Sequence, residues 1–190
     1  MKPRLFPAKI ETRRLIIKKH TVAHADAMFK LLDSDRRRLG QFLHFVPLML
    51  SVNDQRKFIT RSRREWLSRE SFSYGIFLRE DGTFIGNIGV HTIHWAHDSF
   101  ELGYWLGRDF EGHGYISEAV TALAAKGFAM GFHRVEIHCD PRNLKSRKVA
   151  RRCGFMKEGI LREQRKVGGI YRDTVVFSLL ANDARRRYAP

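Results

Sequence analysis

The chain has 190 residues, the length of one domain, and we expect a single domain over residues 1–190. A hydrophobic fraction of 43% argues against intrinsic disorder. No apolar run approaches the roughly 20 residues of a membrane-spanning helix, so we expect a cytoplasmic protein with no membrane partner. The net charge of +15 favours acidic or nucleic-acid partners and disfavours polycationic substrates.

The first third of the chain predicts one strand followed by two helices. A short apolar run at residues 15–18 predicts the strand. Apolar residues at helical spacing predict helices over residues 23–32 and 54–67, and the second helix is basic. Hydrophobic residues between the helices, at 42–50, would support a homodimer if they are exposed.

The middle of the chain alternates between apolar and other side chains, which is typical of strands. This alternation covers residues 72–78, 84–90 and 100–106, with a turn at Asp81-Gly82 between the first two segments. We therefore expect an antiparallel meander of about three strands.

The last third returns to alternating helices and strands. We predict a helix over 118–130 ended by Gly131, a strand over 135–139, a helix over 145–153 ended by Gly154, and two strands within 156–180 joined through Gly168-Gly169. The order β-α-α-β-β-β-α-β-α-β-β predicts an α/β fold of the α+β type. Its central twisted sheet is mixed but mostly antiparallel, and about four helices flank it.

A glycine-rich segment stands between the meander and the next helix. Gly112 and Gly114 flank His113 just before a helix N-terminus, where backbone N–H groups and the helix dipole favour an anion. The segment lacks the third glycine of a dinucleotide fingerprint and the Gly-Lys-Ser/Thr of a Walker loop. It predicts a phosphate site of another kind, with a tight turn that binds nothing as the alternative.

Several short motifs, taken together, resemble the GNAT superfamily of acetyl-CoA-dependent N-acetyltransferases over about residues 10–180. The motifs are Thr12-Arg13-Arg14-Leu15, Leu102-Gly103-Tyr104-Trp105-Leu106, Gly112-His113-Gly114-Tyr115, Ser117-Glu118-Ala119, Asn143 with Ser146, Cys153-Gly154-Phe155, Glu158-Gly159 and Tyr171-Arg172-Asp173. Their order is similar to that of the RimJ/RimL branch, which acetylates the N-termini of ribosomal proteins.

The resemblance implies a GNAT-like fold with acetyl-CoA as cosubstrate. Backbone N–H groups of Gly112, His113, Gly114, Tyr115, Ile116 and Ser117 would hold the pyrophosphate, the strand end at Tyr104, Trp105 and Leu106 would pair with pantetheine, and Asn143 and Ser146 would face the pantetheine arm and thioester sulfur. Glu111 and Ile116 depart from the family pattern. We expect Glu111 to point away from the phosphates, which it would otherwise repel.

Two residues are the candidates for proton transfer. Glu101 lies on the strand leading to the cosubstrate and is the candidate base, acting directly or through water, with a surface carboxylate on a half-exposed strand as the alternative. Many relatives protonate the leaving thiolate with a tyrosine where this chain has Ala150, which leaves Ser146 as the candidate acid. An amide N–H near Trp105 or Leu106 would polarise the thioester carbonyl. We expect no metal, because the His91, His94 and His97 spacing places alternate rings on opposite faces of a strand.

The acceptor is predicted less closely than the reaction. An α-amino group, with a pKa of about 7.7–8.0 against about 10.4 for lysine, demands less of a base. A protein N-terminus, such as that of an acidic ribosomal protein, therefore fits best, with ribosome association as a further reading of the basic charge. A small-molecule amine and a noncatalytic ribosome- or RNA-binding module remain alternatives.

Overall fold

The computed structural model describes residues 5–188, with side chains described to residue 184. Eight strands form one sheet: β1 (Lys9–Glu11), β2 (Leu15–Lys19), β3 (Phe72–Leu78), β4 (Phe84–His94), β5 (Ser99–Leu106), β6 (Arg134–Cys139), β7 (Met156–Val167) and β8 (Ile170–Leu180). The helices are α1 (Ala25–Ser34), α2 (Arg36–Leu39), α3 (Val52–Ser68), α4 (Tyr115–Ala129), α5 (Leu144–Arg152) and α6 (Ala181–Tyr188). The predicted elements are all present, and β1, α2 and α6 are additional.

The sheet is mixed, as the predicted crossover requires. Its strand order is β1-β2-β3-β4-β5-β6-β8-β7. The pair β5–β6 is parallel and the other neighbours are antiparallel. A parallel pair needs a crossover connection, and α4 provides it. The predicted meander is confirmed as β3, β4 and β5.

Local sequence explains where the main helices begin and end. Ser51 caps α3 by accepting a hydrogen bond from the Asp54 amide, and Asn143 caps α5 in the same way from the Ser146 amide. Glycines with positive φ follow α4 and α5, at Gly131 (φ 89°) and Gly154 (φ 86°). The glycine positions predicted to end these helices are therefore confirmed.

Side chains of β5 point alternately to the two faces of the sheet, and each face is covered by a different set of helices. Phe100 and Leu102 point to one face, where they join the core beneath α4 and α5. Trp105 points to the other face and packs with α1 and α3 residues such as Met28 and Ile59. Glu101 and Gly103 share that second face by alternation, so both belong to the side covered by α1 and α3. None of the helices in the described part of the chain is long and apolar enough to cross a membrane.

Candidate active site

The two parallel strands at the centre of the sheet separate part of the way along their length. β5 and β6 pair at Ser99 with Arg134, Phe100 with Val135 and Glu101 with Glu136. β5 continues to Leu106, and within the described residues no strand pairs with this continuation on the β6 side. The Leu106 carbonyl accepts a hydrogen bond from Arg38, and the other backbone N–H and C=O groups that face the β6 side are available to an extended ligand.

A cavity of about 830 Å³ lies over this separation. Five of the predicted site residues line it: Glu101, Tyr104, Trp105, Asn143 and Ser146. The other predicted site residues, Leu106 and the segment from Gly112 to Ser117, lie outside its lining. The structure therefore brings the two candidate proton-transfer residues into one cavity and places the glycine-rich segment apart from it.

Glu101 is buried at 8% exposure, so it is not a surface carboxylate. Its Oε2 accepts a hydrogen bond from Thr92 Oγ1 at 3.4 Å and lies 3.8 Å from His91 Nδ1 and 3.5 Å from His138 Nδ1. Arg165 approaches the other carboxylate oxygen at 3.9 Å. A buried carboxylate needs such partners, because leaving its charge uncompensated is costly.

His138 connects Glu101 to a second carboxylate. Its Nε2 lies 2.7 Å from Glu136 Oε2, and the other oxygen of Glu136 accepts a 2.6 Å hydrogen bond from Arg134 Nε. Glu136 and His138 are two residues apart on β6 and so project from the same face of the sheet as Glu101. The base candidate thus belongs to a network that runs from the cavity lining through His138 to Glu136 and Arg134.

Ser146 lies in the first turn of α5, and hydrogen bonds to two neighbours hold it in place. Its amide donates to Asn143 Oδ1 at 3.0 Å, and its Oγ lies 3.0 Å from the Tyr104 hydroxyl. Burial raises the pKa of Tyr104 well above its ordinary value, although the Ser146 hydrogen bond opposes this, so the phenol stays protonated. Ala150, at the position where many relatives have a tyrosine, is fully buried in the core. The Tyr104 hydroxyl therefore stands beside Ser146 although no tyrosine follows on α5.

The glycine-rich segment has the backbone conformation that a tight anion loop requires. Gly112 and Gly114 have φ of 83° and 80°, in the left-handed region that favours glycine. The first amide to bond into the α4 ladder is that of Glu118, to the Gly114 carbonyl at 3.0 Å. The amides of Tyr115, Ile116 and Ser117 precede it and are among the donors that a helix leaves unsatisfied.

The two departures from the family pattern have structural explanations. Arg38 NH1 donates to Glu111 Oε1 at 2.7 Å, and Lys145 Nζ bonds the other oxygen, so the carboxylate charge is compensated. Ile116 is buried at 8% exposure and packs into the core. Arg38 also donates to the Leu106 carbonyl at 2.7 Å and thereby ties the end of β5 to α2.

The Thr12-Arg13-Arg14-Leu15 motif anchors the N-terminus of α4. Glu118 accepts hydrogen bonds from Thr12 Oγ1 at 2.6 Å and from Arg14 Nε at 2.7 Å. Partial burial alone would raise the pKa of Glu118, but these hydrogen bonds lower it below its ordinary value. Arg14 NH1 also donates to the His113 carbonyl at 2.9 Å, which places a positive charge beside the loop.

One part of the cavity wall comes from the segment between α1 and α3. Phe42, Leu43, Phe45 and Met49 line the cavity. They belong to the segment that would support a homodimer if exposed, and they form part of the cavity wall. Leu48 and Leu50 of the same segment remain exposed, at 67% and 72%.

Sequence reasoning missed several residues of the site. His138 and Glu136 could have been found from the alternation of β6 once β6 was paired with β5 at Glu101. No sequence pattern indicated Thr92 or Arg38. Thr92 has an irregular backbone conformation, and Arg38 extends to the site from a helix of only four residues.

Known proteins similar to this chain agree on one kind of domain. The family model described as "Acetyltransferase (GNAT) domain" matches residues 14–156. YdaF of Bacillus subtilis (strain 168), named as a candidate ribosomal N-acetyltransferase, is 32% identical over 161 residues, covering 84% of this chain and 87% of YdaF. The ribosomal-protein-serine acetyltransferase of Escherichia coli (strain K12) is 28% identical over 162 residues, covering 84% of this chain and 89% of that protein.

A solved structure extends the agreement to three dimensions. RimL, described as a ribosomal L7/L12 alpha-N-protein acetyltransferase and solved with coenzyme A, superposes with a TM-score of 0.84 at 24% identity. The match covers 93% of this chain and 98% of the RimL chain. At this identity the likeness establishes the fold.

Proposed function

This chain belongs to the GNAT acetyltransferase family, and from that premise we propose that it transfers the acetyl group of acetyl-CoA to the N-terminal α-amino group of a protein, a ribosomal protein in particular. The observation that carries the proposal is that Glu101 and Ser146 line one cavity, beside the end of β5 that pairs with β4 but not with β6. A relative named for acetylating serine on ribosomal proteins supports the choice of acceptor.

Acetyl-CoA would lie along the separation of β5 and β6. Pantetheine would pair with the Tyr104 to Leu106 segment as an extra strand, and the pyrophosphate would meet the amides of the segment from Gly112 to Ser117. Arg14 supplies a positive charge beside this loop, where it hydrogen-bonds the His113 carbonyl. The pairing of Glu111 with Arg38 and Lys145 removes the main repulsion from the same region.

The acetyl group moves in a ternary complex by direct attack. The α-ammonium group of the acceptor loses one proton, its nitrogen then bonds to the thioester carbonyl carbon, and the carbon–sulfur bond breaks. Glu101 supplies the negative charge that draws the proton from the amine, directly or through water. An amide of the Trp105 and Leu106 region polarises the carbonyl oxygen.

The departing thiolate takes its proton from Ser146. A coenzyme thiol near the cysteine pKa of about 8.5 is a tolerable leaving group, so a hydroxyl donor suffices. The Tyr104 hydroxyl lies 3.0 Å from Ser146 Oγ and can replace the proton that Ser146 gives up. The second amine proton returns to this pair, and the products are an amide and a free thiol.

Charge favours an acidic acceptor over a cationic one. The net charge of +15 attracts an acidic protein at long range. The β7–β8 hairpin places Arg165, Lys166 and Arg172 along the cavity, and α3 adds Arg61. Ribosome association and a homodimer through Leu48 and Leu50 are further proposals that the same basic and apolar surfaces support.

The test is to incubate the purified chain with acetyl-CoA and a mixture of cytosolic and ribosomal proteins, and to locate new acetyl groups by peptide mass spectrometry. We expect acetylation of one protein N-terminus. Transfer to no protein by a chain that binds acetyl-CoA would favour a small-molecule amine. A chain that does not bind acetyl-CoA would favour the noncatalytic, RNA-binding alternative.

A further inference from the structure

Strand β4 loses its regular pairing directly after His91. Its register with β5 shifts between His91 and His94, and Thr92 has φ of 50°. A β-branched residue rarely adopts this left-handed conformation, because its side chain crowds the backbone there. Bulges of this kind occur next to active sites, where they redirect a side chain. The bulge at Thr92 therefore calls for a functional explanation.

The bulge places the Thr92 hydroxyl between a histidine and a carboxylate. Thr92 Oγ1 lies 3.1 Å from His91 Nδ1 and donates to Glu101 Oε2 at 3.4 Å. A hydroxyl has one proton, and an ionised carboxylate can only accept. The hydroxyl proton is thus directed to Glu101, and His91 Nδ1 carries its own proton toward the Thr92 oxygen. This network assigns the tautomer and leaves the lone pair of a neutral ring on Nε2.

His91 Nε2 makes no hydrogen bond within the described residues, and the His91 ring is part of the cavity lining. His91 lines the cavity together with Glu101 and Gly103. A Cβ added at Gly103 would meet His91 Nε2 at 2.6 Å, so the ring lies over this glycine. Gly103 immediately precedes the Tyr104 to Leu106 segment, along which we place the thioester. Nε2 thus lies next to the segment along which we place the thioester, and this is where the proposal places the acceptor amine.

The charged groups around His91 come from three other strands of the sheet. They are Glu101 on β5, His138 on β6 and Arg165 on β7. Burial lowers the pKa of His91 below its ordinary value; Glu101 opposes this, whereas Arg165 and His138 add to it. The ring is therefore neutral at physiological pH and able to accept a proton.

We propose that His91 is the catalytic base that receives the proton of the acceptor's α-ammonium group, and that Glu101 acts through Thr92 as a positioning residue. The inference rests on the proposed function. In it His91, and not a water molecule, carries the proton between the acceptor and the Glu101 network. One ammonium proton moves to Nε2, and the nitrogen lone pair forms the bond to the acetyl carbon. The carbon–sulfur bond breaks, the thiolate is protonated by the Ser146 and Tyr104 pair, and the second amine proton restores that pair. The imidazolium, stabilised by Glu101 through Thr92, then releases its proton to solvent.

The experiment compares kcat against pH for the wild type and His91→Gln, with acetyl-CoA and a peptide that has a free N-terminus. We expect His91→Gln to lower kcat at neutral pH by about a hundredfold. Its remaining activity should rise steadily with pH as the free amine accumulates. The KM for acetyl-CoA should stay near that of the wild type, which also reports that the variant is folded.

Three further variants separate the roles. His91→Ala should regain activity with added imidazole, and Thr92→Val, which keeps the branched shape, should lower kcat less than His91→Gln does. His94→Gln is the matched control on the same strand, because His94 is exposed and outside the cavity lining, and it should behave as wild type.

Two results would overturn the proposal in different ways. If His91→Gln keeps the wild-type kcat and pH profile while Glu101→Gln loses activity, Glu101 takes the proton without His91 and the proposed function stands. If the wild type itself transfers nothing to any free peptide N-terminus, the proposed function fails and this inference fails with it.

Discussion

In the proposed mechanism, two hydroxyl groups protonate the leaving thiolate. Ser146 is held by the Asn143 cap and contacts the Tyr104 hydroxyl, whose pKa is raised by burial. A phenol that stays protonated is a donor over the whole physiological range. Ala150 is packed in the core at the position where the family resemblance implies a tyrosine, so the proposal assigns protonation of the thiolate to the pair of hydroxyls.

Removing either hydroxyl should slow the chemical step without weakening cosubstrate binding. We expect Ser146→Ala to lower kcat by about tenfold to a hundredfold and Tyr104→Phe by less, since Tyr104 acts through Ser146. Steady-state kinetics with varied acetyl-CoA measures both constants. Ser68→Ala is the control, because that hydroxyl bonds only carbonyls of its own helix. A Ser146→Ala variant with unchanged kcat would remove Ser146 from the mechanism.

At the scale of elements, the loop before α4 depends on glycine, because its backbone adopts a positive φ. Gly114 has φ of 80°, and Gly82 in the β3–β4 turn has φ of 76°, so the two share a conformation but only one lies at a helix N-terminus. An L-residue in this region costs about 1–2 kcal/mol.

Gly114→Ala and Gly82→Ala should therefore lose similar stability but differ in function. We expect Gly114→Ala to raise the KM for acetyl-CoA about tenfold, because distortion of the loop misplaces the amides, and Gly82→Ala to leave it unchanged. Thermal unfolding and steady-state kinetics measure the two effects. Equal KM values in both variants would show that the loop does not bind the cosubstrate.

Regular alternation made most elements predictable, and local irregularity hid the rest. Residues 72–78 were predicted with the bounds that β3 has, because its apolar pattern is uninterrupted. β1 has only three residues and exists through pairing with β2, which no local pattern reveals. α4 begins at Tyr115 rather than near 118, because Gly114 completes its first turn. In the site, Glu101 and Ser146 were accessible from a family resemblance, whereas the strained Thr92 depends on a bulge that sequence periodicity does not encode.

At the scale of the whole molecule, a buried histidine links stability to pH. His20 is 2% exposed, and burial, together with the neighbouring His24, lowers its pKa to about 3. Its folded pKa lies below its unfolded value of about 6.5, so the unfolded chain alone takes up this proton between those limits. His20 therefore does not change the free energy of unfolding above about pH 6.5, and it lowers this free energy as the pH falls toward 3.

His20→Phe should flatten this dependence while keeping a ring among Phe58 and Phe84. One such proton contributes a slope of about 1.4 kcal/mol per pH unit. Denaturant unfolding between pH 6.5 and 4.5 measures the slope directly, and the comparison does not depend on the absolute stability of the variant. Identical slopes for the two proteins would mean that His20 is protonated in the folded state.

The central claim is that this cavity delivers acetyl groups to protein α-amines. The most direct measurement is coenzyme A thiol release at neutral pH with two peptides of one acidic sequence beginning with serine: one with a free N-terminus and a blocked lysine, the other with a blocked N-terminus and a free lysine. Roughly a tenth of α-amines but only about a few lysines in ten thousand are unprotonated there. We expect thiol release, and one added acetyl group, with the first peptide alone. Equal release with both peptides, or release with the second alone, would contradict the account.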